Sequence, residues 1–264
     1  MDNFIAVAAA ALYILATIII VPGLMHQTSI RTKAVLACAV FALLLHAWLL
    51  SDLILEGVGQ NLSILNVASL ISWVIALALS GSMLKIRLWF LLPVVYSFSA
   101  ISLSAAAFLP STFITHLGSN PQLLLHIFLS LFSYAVLIIA ALYALQLTWL
   151  NHQLKSKKLL SMAQNHPPLM MVERQLFKII LSGTLLLTGA LATGYAFVQD
   201  LIAQGQAHKA ILSCIAWVIY SVLLWGHYQQ GWRGKKVTWL TIIGAGLLTL
   251  AYFGSRFVRE IILS

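Results

Sequence analysis

The stretch LLLHIFLSLFSYAVLIIAALYALQLTW, from Leu123 to Trp149, decides the fold of this chain, because it carries no charged residue over its whole length. A helix needs about 20 consecutive, mainly apolar residues to cross the hydrocarbon core of a bilayer. The stretch exceeds that length and contains neither proline nor glycine. It is therefore predicted to be a membrane-spanning helix, and it carries one histidine, His126, close to its start.

Similar apolar stretches recur along the whole chain of 264 residues, of which 61% are hydrophobic and 8% charged. Soluble proteins carry charge on about a quarter of their residues, and barrel strands would alternate over segments of about ten residues. An all-α, polytopic bundle of membrane helices is therefore predicted, since in lipid only helices and closed barrels satisfy their backbone polar groups. Eight spans are predicted, at residues 4–22, 34–53, 62–83, 88–109, 123–149, 176–198, 210–228 and 237–257.

The net charge of +9 is concentrated in the loops between these spans. Cytoplasmic loops carry an excess of lysine and arginine, so the loops that hold most of the bases are predicted to be inside. This predicts an N-out, C-out protein whose bases face the lipid bilayer surface and not a nucleic acid. Twelve of the fifteen bases then fall inside, namely Arg31, Lys33, Lys85, Arg87, Lys155, Lys157, Lys158, Arg174, Lys178, Arg233, Lys235 and Lys236.

No internal repeat divides the chain, so a single integral membrane domain covering residues 1–264 is predicted. The sequence contains no Walker loop, H-E-x-x-H or G-x-S-x-G motif. Its six acidic residues are scattered over loops and helix ends, so no carboxylate pair is available for general acid–base catalysis. The sequence therefore gives no support for a self-contained enzyme.

Because charged residues are so few, the histidines are the candidates for chemistry. Histidine is the commonest metal ligand, and ionisable residues inside a membrane mark functional sites. At 1.5 Å per residue, His126 lies about 5 Å and His46 about 10 Å below the outer surface, whereas His227 lies at the inner end of the seventh span. About 30 Å of hydrocarbon separates the two surfaces, so one haem cannot use both His126 and His227. An outer site and a separate inner site are predicted.

Polar residues accompany His126 and His227 along their helices, at spacings that place them on one helix face. Such a stripe in lipid points to the interior of the bundle. There it either borders a site or joins helices by hydrogen bonds, and both interpretations stay open. The two stripes are His126, Ser130, Ser133 and Tyr134, and Ser213, Trp217, Tyr220, Leu224 and His227.

Two motifs resemble the cytochrome c assembly protein family, that is, the CcsA-, CcmC-, CcmF- and HemX-like haem-handling membrane proteins. One is LLWGHYQQGWRGKK at 223–236, followed by GAGLLTLAYFGSRFV, and the other is HIFLSLFSYAVLIIAALYALQL at 126–147. The resemblance covers nearly the whole chain and implies a bacterial inner membrane protein with haem b as its cofactor. It further implies that His126 is the first external haem ligand and that His227 ligates haem in the cytoplasmic half.

The same resemblance implies a use for the basic turn after His227, since Arg233, Lys235 and Lys236 are available to haem propionates or to anionic lipid headgroups. The chain departs from the family pattern elsewhere. The region VQDLIAQGQAHKAILSCIAW lacks the tryptophan-rich W-G-x-x-W-x-W-D haem platform. The second external histidine, expected after the eighth span, is missing from FVREIILS. The candidates to replace that ligand are His46, His208 and His116.

Two functions therefore stay open. The first is a haem-binding or haem-handling protein linked to cytochrome c-type biogenesis, with other membrane proteins of that process, or of a membrane transport complex, as partners. The second is a non-haem accessory or regulatory subunit, or a small-solute transporter, built on the same scaffold after loss of the tryptophan-rich loop. His126 and His227 favour the first function, and the missing loop favours the second.

Overall fold

Eight helices in the described residues of the computed structural model are long and apolar enough to cross a membrane, which confirms the predicted fold class. The structure describes residues 2–25, 29–56, 59–83, 89–109, 111–115, 121–155, 169–197 and 207–254. The helices are α1 (Asp2–Met25), α2 (Thr32–Ile54), α3 (Ile64–Ser82), α4 (Leu91–Phe108), α5 (Pro121–Lys155), α6 (Leu169–Phe197), α7 (Ala207–Gln230) and α8 (Lys235–Thr249). A π-helical turn, Leu250–Gly254, continues α8.

Two helices extend six or seven residues beyond one end of their predicted spans. α5 continues to Lys155 and α6 begins at Leu169, whereas the spans were predicted to end at residue 149 and to begin at residue 176. The predicted connection, Asn151–Gln175, is therefore partly helical at both ends. A hydropathy pattern locates the apolar part of a helix, and polar residues can prolong the helix beyond it.

Met1–His116 and Gln153–Pro168 form one compact unit, here called unit 1, whose described helices are α1 to α4. α1 packs against α2 and α4, and α3 packs against α4 and α2. Ala6 and Ala9 of α1 are fully buried in a cluster with Leu49 of α2 and Leu103 of α4. Small side chains let helix backbones approach closely, which is how helices associate in lipid.

Hydroxyl groups join α3 to α4 inside unit 1. Ser72 and Ser102 are hydrogen-bonded through their side chains at 2.8 Å, and Ser99 donates to the carbonyl oxygen of Ser72 at 3.3 Å. Ser80 and Tyr96 form a further pair at 2.8 Å. All of these side chains are buried, so the polar groups of the bundle interior are paired with one another, as lipid surroundings require.

A small antiparallel sheet lies where α2 ends and α3 begins, with the strand order β1-β2-β3. Its strands are β1 (Leu55–Glu56), β2 (Gly59–Asn61) and β3 (Ile114–Thr115), and Gln60 of β2 pairs with both neighbours. The sequence analysis did not predict this sheet. Strands of two or three residues are too short to show the alternation that marks a strand.

Asn61 ties the sheet to the neighbouring chain segments. Its side-chain oxygen accepts hydrogen bonds from the backbone N–H groups of Phe113 at 2.9 Å and Ser63 at 3.3 Å. Its amide group donates to the carbonyl oxygen of Ser111 at 3.1 Å. Asn61 is 5% exposed, so these backbone groups obtain from one side chain the partners that water would otherwise supply.

Leu117–His152 and Leu169–Ser264 form the second compact unit, unit 2, whose described helices are α5 to α8. α7 packs against α6 and α8. α5 joins α6 through Ser133, which donates to the carbonyl oxygen of Gly183 at 3.2 Å, and joins α8 through Tyr134 and Thr249 at 3.0 Å. The assignment of residues 1–264 to a single domain stays a prediction.

We expect Asn61→Ala to lower the free energy of unfolding by about 1–3 kcal/mol, because one buried and two partly buried backbone groups lose a hydrogen bond to its side chain. Thermal unfolding of the protein in detergent measures the change. Ser82→Ala, which removes an exposed hydroxyl bonded only to its own helix, is the control and should leave the midpoint in place. Equal midpoints for the two variants would contradict the role given to Asn61.

Candidate functional site

His126 lies in the second turn of α5 and faces α6. Its Nδ1 atom is 3.0 Å from the carbonyl oxygen of Ala190 and 3.3 Å from the hydroxyl of Thr193. A carbonyl oxygen only accepts, so Nδ1 carries the hydrogen of the neutral ring and Nε2 keeps its lone pair. Among the described residues, none is hydrogen-bonded to Nε2. The half-buried His126 ring is thereby oriented so that Nε2 can coordinate a metal ion.

The close approach of α5 and α6 at this point depends on a glycine. A Cβ atom on Gly194 would lie 2.9 Å from Cε1 of His126 and 3.3 Å from its Nδ1. Ala190, one turn earlier on α6, is also small and is buried. The pattern Ala190-x-x-x-Gly194 therefore provides the space into which the imidazole fits.

His227 lies in the last turn of α7 and is held in the same way. Its Nδ1 atom is 3.2 Å from the carbonyl oxygen of Trp232, so Nδ1 donates and Nε2 again keeps its lone pair. The ring stacks on Phe177 of α6, with centroids 3.3 Å apart and planes inclined by 11°. Tyr228 meets the ring edge-on at 5.2 Å. Two aromatic neighbours and one hydrogen bond thus fix this imidazole.

The turn after His227 is built so that Trp232 folds back onto the helix it follows. Gly231 has a φ of 67°, the left-handed conformation that commonly ends helices and that glycine adopts most easily. Its N–H donates to the carbonyl oxygen of His227 at 3.1 Å, and the N–H of Trp232 donates to that of Gly226 at 3.0 Å. The Trp232 indole covers Gly226 so closely that a Cβ atom there would overlap the ring.

The basic residues of this turn already have partners in unit 2. The ammonium group of Lys236 lies 3.1 Å from the centre of the Trp232 ring, a favourable cation–π geometry. Nε of Arg233 is 3.6 Å from a carboxylate oxygen of Glu173, near the start of α6. The Arg233 side chain is 67% exposed, so this ion pair contributes little to stability and leaves the guanidinium accessible to other anions.

His126 of α5 and His227 of α7 contact α6 near its opposite ends. His126 contacts Ala190, near the end of α6, whereas His227 contacts Phe177, near its beginning. Thirteen residues separate these two contacts, which corresponds to about 20 Å along the helix axis. The two imidazoles cannot coordinate one iron, and the geometry agrees with two separate sites.

His208 lies toward the same end of unit 2 as His126. Trp217 of α7 donates to the hydroxyl of Thr188 of α6 at 2.8 Å, which aligns the two antiparallel helices. His208 precedes Trp217 by nine residues on α7, and Thr193 follows Thr188 by five residues on α6. Because the helices are antiparallel, both steps run toward the same end of unit 2. This places His208 about 6 Å farther along the helix axes than Thr193. The His208 side chain is exposed.

His46 has a different environment, in the interior of unit 1. It is fully buried, and both of its ring nitrogens are engaged. Nδ1 is 3.2 Å from the hydroxyl of Tyr13, and Nε2 is 2.9 Å from the hydroxyl of Ser69. Neither nitrogen offers a free lone pair in this arrangement, which joins α1, α2 and α3 by hydrogen bonds. The remaining candidate, His116, lies outside the described residues.

The predicted polar stripes divide between neighbouring helices. On α5, His126 and Ser133 reach α6, whereas Tyr134 reaches Thr249 of α8. On α7, Trp217 reaches α6, whereas the Tyr220 hydroxyl donates to the carbonyl oxygen of Thr241 of α8 at 3.1 Å. Most members of the stripes therefore join helices, and the two histidines stand out because each retains a free ring nitrogen.

Sequence reasoning missed two of the residues that orient the histidines. Phe177 and Thr193 show no signal in the sequence, whereas Ala190-x-x-x-Gly194 is recognisable there as a small-x-x-x-small packing pattern. Gln146 of α5 was also missed. It is fully buried, and neither of its amide atoms has a hydrogen-bond partner in the described residues.

No group of three histidine, cysteine, aspartate or glutamate side chains that could hold a bare metal ion is found in the described residues. Haem differs from a bare ion, because the porphyrin supplies four ligands and the protein needs to add only an axial one. A histidine with an oriented ring and a free Nε2 is suited to that position. His126 and His227 therefore fit haem iron better than a bare metal ion.

Comparisons with known proteins identify relatives of the whole chain. The family model described as Cytochrome C assembly protein matches residues 34–263. Inner membrane protein YpjD of Escherichia coli (strain K12) is 48% identical over 259 residues, which cover 97% of this chain and 98% of that one. No solved structure gives a significant match.

More distant relatives match parts of the chain. A 28.8 kDa protein of Azospirillum brasilense is 33% identical over 141 residues, or 53% of this chain and 52% of its own. Cytochrome c biogenesis protein CcsA of Prochlorococcus marinus is 29% identical over 84 residues, or 31% of this chain and 27% of its own. The similarity thus extends from full-length relatives to a named cytochrome c biogenesis protein.

We expect His46→Ala to lower the free energy of unfolding by about 2–4 kcal/mol, since two buried hydroxyls lose their partner and a cavity remains. Thermal unfolding in detergent measures the loss. His152→Ala is the matched control, because this histidine is exposed near the end of α5, and its midpoint should equal that of the wild type. A His46→Ala protein of wild-type stability would contradict a structural role for His46.

Gly226→Ala tests the packing of the turn. Helix propensity alone predicts a gain of about 1 kcal/mol for this change, whereas overlap with the Trp232 ring predicts a loss of about 1–3 kcal/mol. Gly246→Ala is the control, because a Cβ atom there meets nothing within 4 Å, and it should be neutral or stabilising. The sign of the change in the unfolding midpoint shows which of the two effects is larger. Stabilisation by Gly226→Ala would contradict the packing of the Trp232 ring on Gly226.

Proposed function

The chain belongs to the cytochrome c assembly protein family, and we propose that it binds haem b at His126 and at His227 as a multi-pass protein of the bacterial inner membrane. Its role is to hold or hand on haem in connection with cytochrome c-type biogenesis. The membrane fold and the family are established by the eight apolar helices and by the full-length match. We propose, beyond this, the haem sites, the direction of haem transfer and the partners.

One observation carries the proposal, namely that His126 and His227 share the same hydrogen-bond arrangement. Each donates Nδ1–H to a backbone carbonyl, of Ala190 in one case and of Trp232 in the other. Histidines that ligate metals almost always donate their second ring N–H to a carbonyl, carboxylate or water, which fixes the tautomer and raises the basicity of the ligating nitrogen. His46 lacks this arrangement and is not included among the proposed ligands.

The two sites differ in what surrounds the imidazole. At His227, the stacked Phe177 ring keeps the imidazole plane in one orientation, and Trp232 shields the same helix end from water. Arg233 and Lys235 are exposed bases of the turn that follows His227, and they are suited to receive haem propionates. Lys236 stabilises the Trp232 ring and is therefore assigned to the turn. Bound haem would supply an iron centre able to accept an axial ligand and an electron.

At His126, Thr193 and Ala190 hold the imidazole, and His208 is the candidate for a second axial ligand. Its exposed side chain lies toward the same end of unit 2, about 6 Å beyond Thr193 along the helix axes. A ligand from the start of α7 would thereby compensate for the external histidine missing from FVREIILS. This assignment requires the α7 end to approach His126 when haem binds.

The orientation that we propose is N-out and C-out, because it places twelve of the fifteen bases on the cytoplasmic side. The His126 site then opens toward the outer surface, and the His227 site lies in the cytoplasmic half. Two sites on opposite sides of one unit suit a protein that receives haem on one side and presents it on the other. The membrane partners would be proteins that deliver or accept haem.

We expect the protein purified in detergent from haem-replete cells to show a Soret band. His126→Ala and His227→Ala should each weaken haem binding by at least about tenfold at one site, and the double variant should carry no haem. Absorbance, a haem stain and titration with haemin measure the loss, and His152→Ala serves as the exposed-histidine control. Added imidazole should restore the spectrum of each single variant, because it replaces the missing ligand without repairing a folding defect.

A colourless wild-type preparation that also takes up no haemin would contradict the haem proposal. The function would then be that of a non-haem accessory or regulatory subunit, or of a small-solute transporter, on the same scaffold. Retention of the full Soret band by the double variant would contradict the assigned ligands. His208→Ala separates the two sites further, since it should alter the spectrum of the His126 site alone.

A further inference from the structure

A π-helical turn ends the described part of α8. From Leu250 to Gly254 the hydrogen bonding changes from the α to the π pattern. π-helical turns are rare and occur frequently at functional sites. This one contacts α5 at Tyr134 and Ser130, which follow His126 by eight and four residues on that helix.

The turn places two aromatic side chains against α5. Tyr252 stacks on Tyr134, with centroids 5.0 Å apart and planes inclined by 30°, and Phe253 lies 5.9 Å from the same ring. The Tyr252 hydroxyl lies close to the side chain of Ser130. Tyr134 itself is buried and bonded to Thr249, so it forms a fixed base for the other two rings.

Ser130 connects this aromatic cluster to the His126 site. It follows His126 by four residues on the same face of α5, which places it about 6 Å farther along the helix. The Tyr252 hydroxyl therefore lies within about one helical turn of the His126 level. Tyr252 and Phe253 are only partly buried, in contrast to Tyr134. Both residues therefore keep some exposed surface, one to two helical turns from the level of His126.

Other aromatic residues near this end do not share that face. Phe128 and Phe132 are two and six residues after His126, so they point away from its side of α5, and both are exposed. Tyr195 follows Thr193 by two residues and is 91% exposed, so it points away from His126 on α6. The aromatic rings that contact α5 at Tyr134 come from the π-helical turn.

We infer that Tyr252 and Phe253 form an aromatic wall that receives the face of a porphyrin at the His126 site. This inference rests on the proposed function and adds a binding surface to the axial ligand. A porphyrin is a flat, apolar ring system wider than one helical turn, so a macrocycle held at Nε2 of His126 extends to the level of Ser130. Aromatic side chains bind such a ring by offset stacking and by burial of apolar area.

The hydroxyl of Tyr252 has a positioning role in this arrangement. Its position next to Ser130, together with the stacking of the ring on Tyr134, places the phenol beside the helix that carries His126. The ring surface, and not the hydroxyl, provides the stacking energy. Tyr252→Phe therefore keeps the wall but loosens its position, whereas Tyr252→Leu removes the stacking surface while remaining apolar.

Iron-free protoporphyrin IX separates the wall from the axial ligand, because it contains no metal for His126 to coordinate. We expect wild-type protein in detergent to bind this probe, detected by its fluorescence anisotropy. Tyr252→Leu should weaken binding by about tenfold, and Tyr252→Phe should weaken it less. Tyr195→Leu is the matched control, since it removes an exposed tyrosine that points away from the site.

Haem provides the second measurement, in a His227→Ala background that leaves only the His126 site. Here Tyr252→Leu should speed the transfer of haem to apomyoglobin by about tenfold, whereas Tyr195→Leu should not. Thermal unfolding without porphyrin shows whether each variant is folded. If Tyr252→Leu is not folded, Tyr252→Phe replaces it in the haem-transfer measurement.

The outcomes distinguish this inference from the proposed function. If haem binds through His126 but Tyr252→Leu and Tyr252→Phe release it as slowly as the wild type, the wall is refuted and the axial ligand stands. If haem does not bind but Tyr252 variants weaken protoporphyrin IX binding, the wall stands and the axial ligand is refuted. Binding of protoporphyrin IX that is equal in Tyr252→Leu, Tyr195→Leu and wild type overturns the inference.

Discussion

The polar groups of this protein have to find their partners within the chain, since the lipid around the helices offers none. Both units meet this requirement with side-chain pairs and with bonds to backbone carbonyls. His46 of unit 1 is paired with the hydroxyls of Tyr13 and Ser69, whereas the two candidate ligand histidines of unit 2 are each bonded to a backbone carbonyl through Nδ1. A histidine with both ring nitrogens hydrogen-bonded has no lone pair for a metal, whereas one bonded through Nδ1 keeps the lone pair of Nε2.

The sequence predicts the helices well because the length of an apolar stretch is a direct consequence of bilayer thickness. It predicts their ends less well, as the extension of α6 back to Leu169 shows, since a helix can continue into water without apolar residues. The small sheet escapes prediction altogether, because pairing such as Gln60 with Thr115 depends on segments far apart in sequence. Long-range contacts of this kind leave no local pattern.

The candidate ligands could be named from the sequence, but their environments could not. A histidine in an apolar helix is conspicuous whether it is structural or functional, and without the family resemblance nothing in the sequence separates His46 from His126. Only the positions of Ser69 and Tyr13 around one ring, and of Ala190 and Gly194 beside the other, tell them apart. The partner of His227 is the exception. Trp232 is five residues away in the chain, so the motif contains both the imidazole and the group that orients it.

That closeness in sequence makes the His227 element self-contained. The carbonyl that sets the ring, the glycine with positive φ and the indole that covers Gly226 all lie between residues 226 and 232. A sliding or tilting movement of the whole of α8 would leave the imidazole aimed as before, whereas a single residue inserted after Tyr228 would turn the carbonyl away from it. The orientation of this imidazole is thus encoded in the seven residues 226–232. This heptapeptide could be transferred to the end of another membrane helix, provided that a neighbouring aromatic residue takes the place of Phe177.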